Sequence, residues 1–363
     1  MARGPAGPLR RGWTTGACAA AASKAAYQAL LTGAFPDPVT IRLPQGLEPA
    51  FALAREELAA DHATAGIIKD AGDDPDVTHG ALVLATVWRA KPGAGIVLRA
   101  GEGVGMVTRA GLPVAVGEPA INPGPRAQIA AAIAEVARTH GGRGDVEIAI
   151  AIPGGADLAA KTLNGRLGIV GGLSILGTTG VVIPYSCASW IHSIHRGIDV
   201  ARAAGVAHIA GSTGSTSEAA VKQLHGLDDI ALIDMGDFAG GMLKYLRRHP
   251  VPRLTIAGGF GKLAKLAVGA LDLHSGASAV DVAVLADALA TLGAEPEIVA
   301  AARMAQSAGE VLVAAGPWSR PLANLIARRA RTTALATLAG GVAVDVVIFD
   351  RQGAMIGRID GEK

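Results

Sequence analysis

The chain has 363 residues, a formal net charge of +2 and 50% hydrophobic residues, of which few are aromatic. Because one core ordinarily serves roughly 100–200 residues, this length predicts two domains. The well-mixed charge gives no basic stripe of the kind that binds nucleic acid. Two cysteines, Cys18 and Cys187, are too few for a disulfide framework and lack metal-ligand spacing, so we expect both to be buried and expect no protein-bound metal.

The first predicted element is a helix within the segment RRGWTTGACAAAASKAA, Arg10 to Ala26. Thr14 or Thr15 can cap its first turn, and the alanines that follow are the best helix formers. The unpaired N–H groups of a helix start also attract anions. A plain helix cap and an anion site are therefore both open at this point of the chain.

Five β-rich runs closed by Gly, Pro or Asp follow this helix and predict strands. They are residues 38–44, 63–70, 81–90, 95–101 and 146–155. Between the last two runs, the apolar spacing and the final glycines of residues 125–142 predict a helix. Several strands before a helix predict an α+β domain with a mixed or antiparallel sheet, which we place at residues 1–155.

A glycine-rich connection is predicted at residues 156–186. It overlaps the longest run without Asp, Glu, Lys or Arg, residues 167–195, which exceeds the roughly 20 residues of a membrane span. Five glycines and Pro184 would leave backbone groups unpaired in lipid, so we expect this run to be buried or to line a ligand. The N-terminal segment MARGPAGPLRRG lacks the apolar core of a signal peptide, and the sequence predicts a cytoplasmic protein without membrane contact.

From about Tyr185 onward, strand, glycine turn and helix alternate three times, in the segments HIAGSTG, IALIDMGDF and LTIAGGFGK. Such alternation predicts parallel βαβ units, in which ligands bind outside the carboxyl ends of the strands. Residues 342–359 hold two apolar runs around DRQG and predict a β-hairpin. We therefore expect an α/β Rossmann-like domain at residues 187–363.

The three turns supply candidate cofactor-binding residues. Glycine permits close backbone approach, and hydroxyls beside a helix start, including that of Ser212, can donate hydrogen bonds. Asp234 lies where doubly wound folds place an acid on a ribose, and Asp237 is a second candidate. The full set is Gly211, Thr213, Gly214, Ser217, Asp234, Gly236, Asp237, Gly258 and Gly259. The GxGxxG pattern is absent, so ordinary glycine turns stay open as the alternative.

Loops in the first half carry many charged and amide side chains. The loop from Ile67 to Ala81 holds Lys69, Asp70, Asp73, Asp74, Asp76 and His79, but its spacing is not that of a calcium loop, and DAGDDPD is also turn chemistry. Further loops carry Glu102, Arg109, Glu118, Asn122, Arg126, Asn164, Arg166 and a second TTG at Thr178, Thr179 and Gly180. Glycine-rich loops with arginines suit a ligand with several carboxylates, and solvated turns are the alternative.

Several of these segments together resemble the cobalt-precorrin-5B C1-methyltransferase family, CbiD. They are WTTGACAAAASKAA, KDAGDDPDVTHGA, GEGVGMVTRAGL, GEPAINPGPR, TLNGRLGIVGGLSILGTTGVVIPYS, MGDFAGGMLK and GKLAKLAVGALDLHS. The resemblance runs from about Arg10 to Asp281 and is weak beyond. One turn departs from it: Gly259, followed by Phe260, stands where the family's G-H-x-G-K turn has histidine, so no histidine role carries over.

The resemblance implies transfer of a methyl group from S-adenosylmethionine to ring carbon C1 of a cobalt-precorrin, or a related tetrapyrrole, in cobalamin biosynthesis. The substrate is fringed with carboxylates, which favours the anion site at the first helix. The expected substrate-binding residues are Arg11, Thr14, Thr15, Gly16, Arg109, Arg126, Asn164, Arg166, Thr178 and Thr179. Glu102 and Asp70 are the candidate catalytic carboxylates.

Two other functions fit the same patterns. A nicotinamide-dependent oxidoreductase could use the three-turn sheet, although a cleaner phosphate loop is usual there. A non-catalytic tetrapyrrole carrier would need the arginine loops without the cofactor turns. Neighbouring enzymes of the pathway are candidate partners, and the sequence gives no oligomeric state.

Overall fold

The structure is a computed structural model that describes residues 8–361. It divides into two compact units, and the division falls between Ser186 and Cys187. Residues 156–186, expected to form a separate connection, lie within the first unit. They contribute one short helix and two short strands there, two of which pair with earlier parts of the chain.

The first unit contains the helices α1 (Thr15–Thr32), α2 (Pro123–His140) and α3 (Gly155–Ala159). Its strands are β1 (Gly12–Trp13), β2 (Val39–Thr40), β3 (Ala50–Phe51), β4 (Arg55–Leu58), β5 (His62–Ile68), β6 (Leu82–Arg89), β7 (Ile96–Ala100), β8 (Met106–Val107), β9 (Val146–Ala151), β10 (Ile169–Val170) and β11 (Val181–Val182). Four of the five predicted strands are present as β5, β6, β7 and β9. The fifth, at 38–44, is reduced to the two residues of β2.

A five-stranded sheet with the order β4-β5-β6-β9-β7 forms the centre of this unit. Neighbouring strands are antiparallel except β7 and β9, which are parallel. Helix α1 packs against β5, β6 and α2, and its alanine side chains, from Ala17 to Ala29, are buried in this core. Small side chains allow the helix axis to approach the sheet closely, which explains the alanine run.

The second unit contains the helices α4 (Cys187–Ala203), α5 (Ser215–His225), α6 (Ala239–Leu246), α7 (Phe260–Ala267), α8 (Val282–Leu292), α9 (Pro296–Met304), α10 (Ala308–Ala314) and α11 (Ser319–Leu338). Its strands are β12 (His208–Ser212), β13 (Leu232–Asp234), β14 (Arg253–Gly259), β15 (Ala343–Phe349) and β16 (Met355–Ile359). The predicted alternation and the predicted hairpin of β15 and β16 are present. Helices α8 to α11 were not separated by the sequence pattern.

The sheet of the second unit has the order β13-β12-β14-β15-β16, and only β16 runs antiparallel to its neighbour. Alternate residues face opposite sides. Ile209, Ile233 and Ile256 lie in the large core with α4, α6, α7 and α11, whereas Ala210, Leu232 and Ala257 lie in a small core under α5. Because α5 begins beside the carboxyl ends of the strands, that edge carries an exposed helix start.

The two cysteines differ in burial. Cys18 is buried, and burial raises the pKa of its thiol to about 12, but Cys187 is exposed at the start of α4, so the expectation that both are buried was wrong for Cys187. Across residues 8–361, no helix combines the length and apolarity that crossing a membrane requires.

Candidate functional site

The carboxyl edge of the parallel sheet brings the ends of β12, β13 and β14 together. Ser212 pairs in register with Asp234 on one side and with Ala257 on the other. The turn after β13 folds back over this end, because Met235 and Gly236 donate their N–H groups to the Ser212 carbonyl at 3.0 and 3.1 Å. The predicted cofactor turns therefore converge within one unit.

The glycines of this edge differ in the space that a Cβ atom would have at each position. At Gly211 it would lie 2.3 Å from the sulfur of Met242, and at Gly258 it would lie 2.8 Å from Thr213 Oγ1. At Gly214 and Gly259 it would meet nothing within 4 Å. Gly211 and Gly258 are thus explained by packing alone, whereas Gly214 and Gly259 border open space beside the starts of α5 and α7.

The two candidate acids have different surroundings. The Asp237 carboxylate forms an ion pair with Lys262, which also donates to the Leu273 carbonyl. This ion pair ties the turn after β13 to α7. Asp234 is partly buried at the end of β13, and its carbonyl accepts from the indole Nε1 of Trp190 at 3.1 Å.

Ser212 carries a buried polar group that the chain itself leaves without a partner at this edge. The residue is completely buried, and its Oγ is one of two buried side-chain polar atoms that have no hydrogen-bond partner within the described chain. An unsatisfied buried hydroxyl costs about 1–3 kcal/mol, so a native structure rarely keeps one without a use. By contrast, the nearby Ser217 hydroxyl donates to the Gly214 carbonyl at 2.9 Å and serves the local turn.

At the opposite edge of the sheet, His208, His225 and Asp345 place ligand-type atoms within 4.8 Å of one another, the one such group among the described residues. All three surround the Thr255 hydroxyl, at 2.8, 3.5 and 3.0 Å respectively. Asp345 also accepts from Arg253 and from the Gly361 N–H. The carboxylate is thus already satisfied and beside a guanidinium, which disfavours a cation there, and the absence of a protein-bound metal stays a prediction.

In the first unit, the start of α1 differs from the expected open anion site. Thr14 caps the helix by accepting from the Ala17 N–H at 3.2 Å. The Gly16 N–H donates to the Leu176 carbonyl at 2.8 Å, and the Thr14 N–H donates to the Gly180 carbonyl at 3.0 Å. These two amides are therefore occupied by carbonyls of residues 176 and 180 and are not open to an anion. The two TTG segments converge here, and binding of a substrate carboxylate at this helix start stays a prediction.

The two TTG segments and α2 approach one another closely at Gly16 and Gly177. A Cβ on Gly16 would lie 2.6 Å from Pro125 at the start of α2, and one on Gly177 would lie 2.1 Å from Thr14 Oγ1. Gln128 on α2 donates to the Gly177 carbonyl at 2.8 Å, while its buried Oε1 is the second polar atom without a partner among the described residues. Thr178 is exposed beside it.

All four aspartates of the loop after β5 bind the chain itself. Asp76 pairs with the buried Lys69, Asp73 accepts from the Arg10 N–H, and Asp74 accepts from the Tyr185 N–H. Asp70 accepts from the Arg10 guanidinium and from the Gly72 N–H, which lowers the pKa of its carboxyl to about 2. The interpretation of this loop as a turn therefore accounts for the partner of every carboxylate. Asp70 is too weak a base to serve as a general base at neutral pH.

The remaining predicted substrate residues have mixed surroundings. Asn164 is buried and links the Gly172 carbonyl to the Ser174 hydroxyl, and Arg126 binds Glu118 and the Ile121 carbonyl, so both hold loops together. The Thr179 hydroxyl bonds within its own turn. Arg11, Arg109 and Glu102 are exposed, and Arg109 lies across Gly168 with one nitrogen on the Arg166 carbonyl. Arg11, Arg109 and Glu102 therefore stay candidates for contact with a ligand.

Comparison with known proteins identifies the family. A family model described as CbiD matches residues 3–184, and a model described as CbiD, C-terminal domain, matches residues 272–360. The chain belongs to the CbiD family. The second match corrects the expectation that likeness to the family becomes weak beyond Asp281.

Relatives of this CbiD chain cover nearly its whole length. A protein of Bradyrhizobium sp. is 62% identical over 98% of this chain and 94% of its own, and one of Paramagnetospirillum magneticum is 61% identical over 96% and 98%. Both are named cobalt-precorrin-5B C(1)-methyltransferase. A solved structure of a cobalamin biosynthesis protein (cbiD) from Archaeoglobus fulgidus is 28% identical, covering 70% of this chain and 78% of that chain, with a TM-score of 0.40.

Trp190 and Ser212 lie at the carboxyl edge of the second sheet but are absent from the cofactor-binding residues that the sequence predicted. Ser212 stood among the hydroxyls of the first turn, but nothing in the sequence distinguishes a partnered hydroxyl from an unpartnered one. Trp190 lies on α4, 44 residues before Asp234, and only the fold brings them together.

Proposed function

We propose that this CbiD-family protein transfers the methyl group of S-adenosylmethionine to carbon C1 of cobalt-precorrin-5B, giving cobalt-precorrin-6A in cobalamin biosynthesis. Identity of about 60% over nearly the full length, to relatives that carry this name, is the observation that carries the proposal. S-adenosylmethionine supplies the methyl group on a sulfonium sulfur, which leaves as a neutral thioether.

The second unit is the donor-binding domain in this proposal, with a Rossmann-like arrangement of its sheet. The residues fit such a ligand, because the buried Ser212 hydroxyl lacks a partner and Gly214 and Gly259 border open space at the same edge. Asp234 is the proposed ribose acid. Thr213 and Gly236 line the same turns, whereas Gly211, Gly258, Ser217 and Asp237 support their geometry.

The first unit binds the tetrapyrrole in this proposal. The region where α1, α2 and the second TTG meet holds the unpartnered Oε1 of Gln128 and the exposed Thr178. Arg109 and Arg11 are exposed cations suited to the carboxylates of the substrate. Thr14, Thr15, Gly16, Arg126, Asn164 and Thr179 shape these loops, and Arg166 provides the carbonyl that holds Arg109.

Because the leaving group is neutral, the protein needs little acid catalysis. Its main contribution is to hold the ring carbon and the methyl carbon in line and close together while excluding water, an effect that can lower the barrier by several kcal/mol, up to about 11. Glu102 is exposed and is the proposed acceptor for a ring proton.

The proposal is tested by incubating the protein with cobalt-precorrin-5B and methyl-labelled S-adenosylmethionine. We expect the label in the macrocycle and one equivalent of S-adenosylhomocysteine per methylated ring. A heat-denatured sample and a reaction without macrocycle serve as controls.

The same incubation distinguishes the alternatives. Tight tetrapyrrole binding without transfer of label would indicate a carrier. Substrate-dependent oxidation of a reduced nicotinamide, again without transfer, would indicate an oxidoreductase. Either result would contradict the proposal.

A further inference from the structure

Trp190 is more exposed than a large aromatic side chain usually is. The residue lies near the start of α4 and is 46% exposed, although a large aromatic side chain is normally buried. Its indole nevertheless has a fixed position, since Nε1 donates to the Asp234 carbonyl at 3.1 Å. The ring is therefore held in place by its Nε1 while the rest of its surface stays available to a ligand.

The turn after β13 is adapted to this ring. Gly236 has a φ of +51°, and a Cβ placed on it would lie 3.3 Å from Trp190 Nε1 and 3.4 Å from neighbouring ring atoms. Any side chain at 236 would therefore both strain the backbone and press on the indole. Glycine at this position lets the ring lie directly on the turn that follows the proposed ribose acid.

An independent observation points to a ligand at the same edge. The turn that carries Gly236 is held by the carbonyl of Ser212, whose own buried hydroxyl has no partner. Trp190, Asp234 and Ser212 thus lie around the ends of two neighbouring parallel strands. An aromatic surface for the base and an acid for the ribose are typical of sites that bind an adenosine.

We propose that Trp190 is the surface on which the adenine ring of the methyl donor stacks. This inference rests on the proposed function, because it assigns a base-binding residue to the donor site of the second unit. Every nucleobase has a π-face, so stacking on an aromatic side chain contributes to affinity without any hydrogen bond to the base.

The test is calorimetric binding of S-adenosylhomocysteine to the full-length protein. Trp190→Leu keeps apolar bulk but removes the aromatic face, and we expect the affinity to fall about tenfold to a hundredfold. Trp190→Phe keeps an aromatic face without the Nε1 donor, and we expect it to restore most of the affinity. Circular dichroism establishes that each variant is folded.

Tryptophan emission gives a second readout that does not depend on activity. The chain has four tryptophans, and we expect S-adenosylhomocysteine to change the emission of the wild-type protein and of Trp318→Phe, but not that of Trp190→Phe. Trp318 is a matched control, because it lies in the same unit and its Nε1 is anchored on Glu295 at 2.9 Å.

The outcomes separate this inference from the proposed function. Wild-type binding with unchanged affinity in folded Trp190→Leu, or an emission change that persists in Trp190→Phe, would overturn the role of Trp190 alone. A wild-type protein that does not bind S-adenosylhomocysteine would overturn the donor site and Trp190 with it.

Discussion

At the scale of single residues, the two unpartnered buried atoms are more informative than the motifs around them. Ser212 Oγ and Gln128 Oε1 each lie among residues that the sequence had already selected, one in each unit. Several of the selected residues, among them Ser217, Asn164 and Arg126, bond within their own loops. A buried polar atom that the chain itself does not satisfy calls for a hydrogen-bond partner from outside the chain, a water molecule or a ligand.

The first prediction concerns Ser212→Ala. Removing a buried hydroxyl that has no partner should leave the free energy of unfolding of the ligand-free protein unchanged or raise it by about 1 kcal/mol. The same change should weaken S-adenosylhomocysteine binding several-fold. Denaturant unfolding and calorimetry measure the two effects. Ser217→Ala is the matched control, since it breaks a bond to Gly214 and should lower stability.

Loss of stability in Ser212→Ala together with unchanged affinity would contradict this assignment. It would mean that the hydroxyl supports the fold and does not meet the donor.

The second prediction contrasts the two candidate catalytic carboxylates. Asp70 is held ionised by Arg10 and Gly72, with a pKa of about 2, so it should take no part in proton transfer. We expect Asp70→Asn to change kcat by no more than a few-fold. Glu102→Gln should lower kcat by roughly a hundredfold or more, because general base catalysis contributes about 10²–10⁴-fold. Equal losses in the two variants, measured by methyl transfer at saturating substrate, would remove Glu102 from this role.

At the scale of elements, the two edges of the second unit's sheet carry different kinds of groups. The carboxyl edge carries open glycines and an unsatisfied hydroxyl, whereas the amino edge carries His208, His225 and Asp345 in hydrogen bonds around Thr255. The carboxyl edge is therefore suited to a ligand. The polar groups of the amino edge hydrogen-bond with one another and therefore stabilise the fold.

The third prediction is a pH dependence of stability that comes from this network. Burial and the nearby His225 and Arg253 lower the pKa of His208 from 6.5 to about 4. Because the unfolded chain takes up a proton first, stability is fully present above pH 6.5 and is lost as the pH falls from there toward 4. We expect a loss of about 1 kcal/mol between pH 7 and pH 5, a modest value because the imidazole is only partly buried.

Denaturant unfolding of the wild-type protein and of His208→Gln at both pH values checks this effect. Glutamine keeps an N–H donor for Thr255 but does not titrate, so the variant should lose less stability on acidification. An identical loss in both proteins would show that other groups control the acid response.

At the scale of the whole molecule, the sequence predicted what depends on local pattern and missed what depends on packing. The apolar runs of β5, β6 and β9 were visible in the sequence, but β4, with the exposed residues REEL, has no apolar signature. Gly211 and Gly214 lie in one turn and look alike in the sequence, yet only the first is packed against Met242. The pairing of Asp237 with Lys262, and of Asp70 with Arg10, likewise exists only after folding.

The last prediction concerns the independence of the two units. The large core around Ile209, Ile256 and Val346 lies wholly within residues 187–361, and the core around α1, Ile129 and Ile148 lies wholly before Ser186. A segment with its own core can fold alone. We therefore expect residues 1–186 and residues 187–363, expressed separately, each to unfold cooperatively on heating. The second fragment should bind S-adenosylhomocysteine about as tightly as the full chain does, because Trp190, Ser212 and Asp234 all lie within it. A second fragment that folds cooperatively but does not bind would show that the donor site needs residues of the first unit.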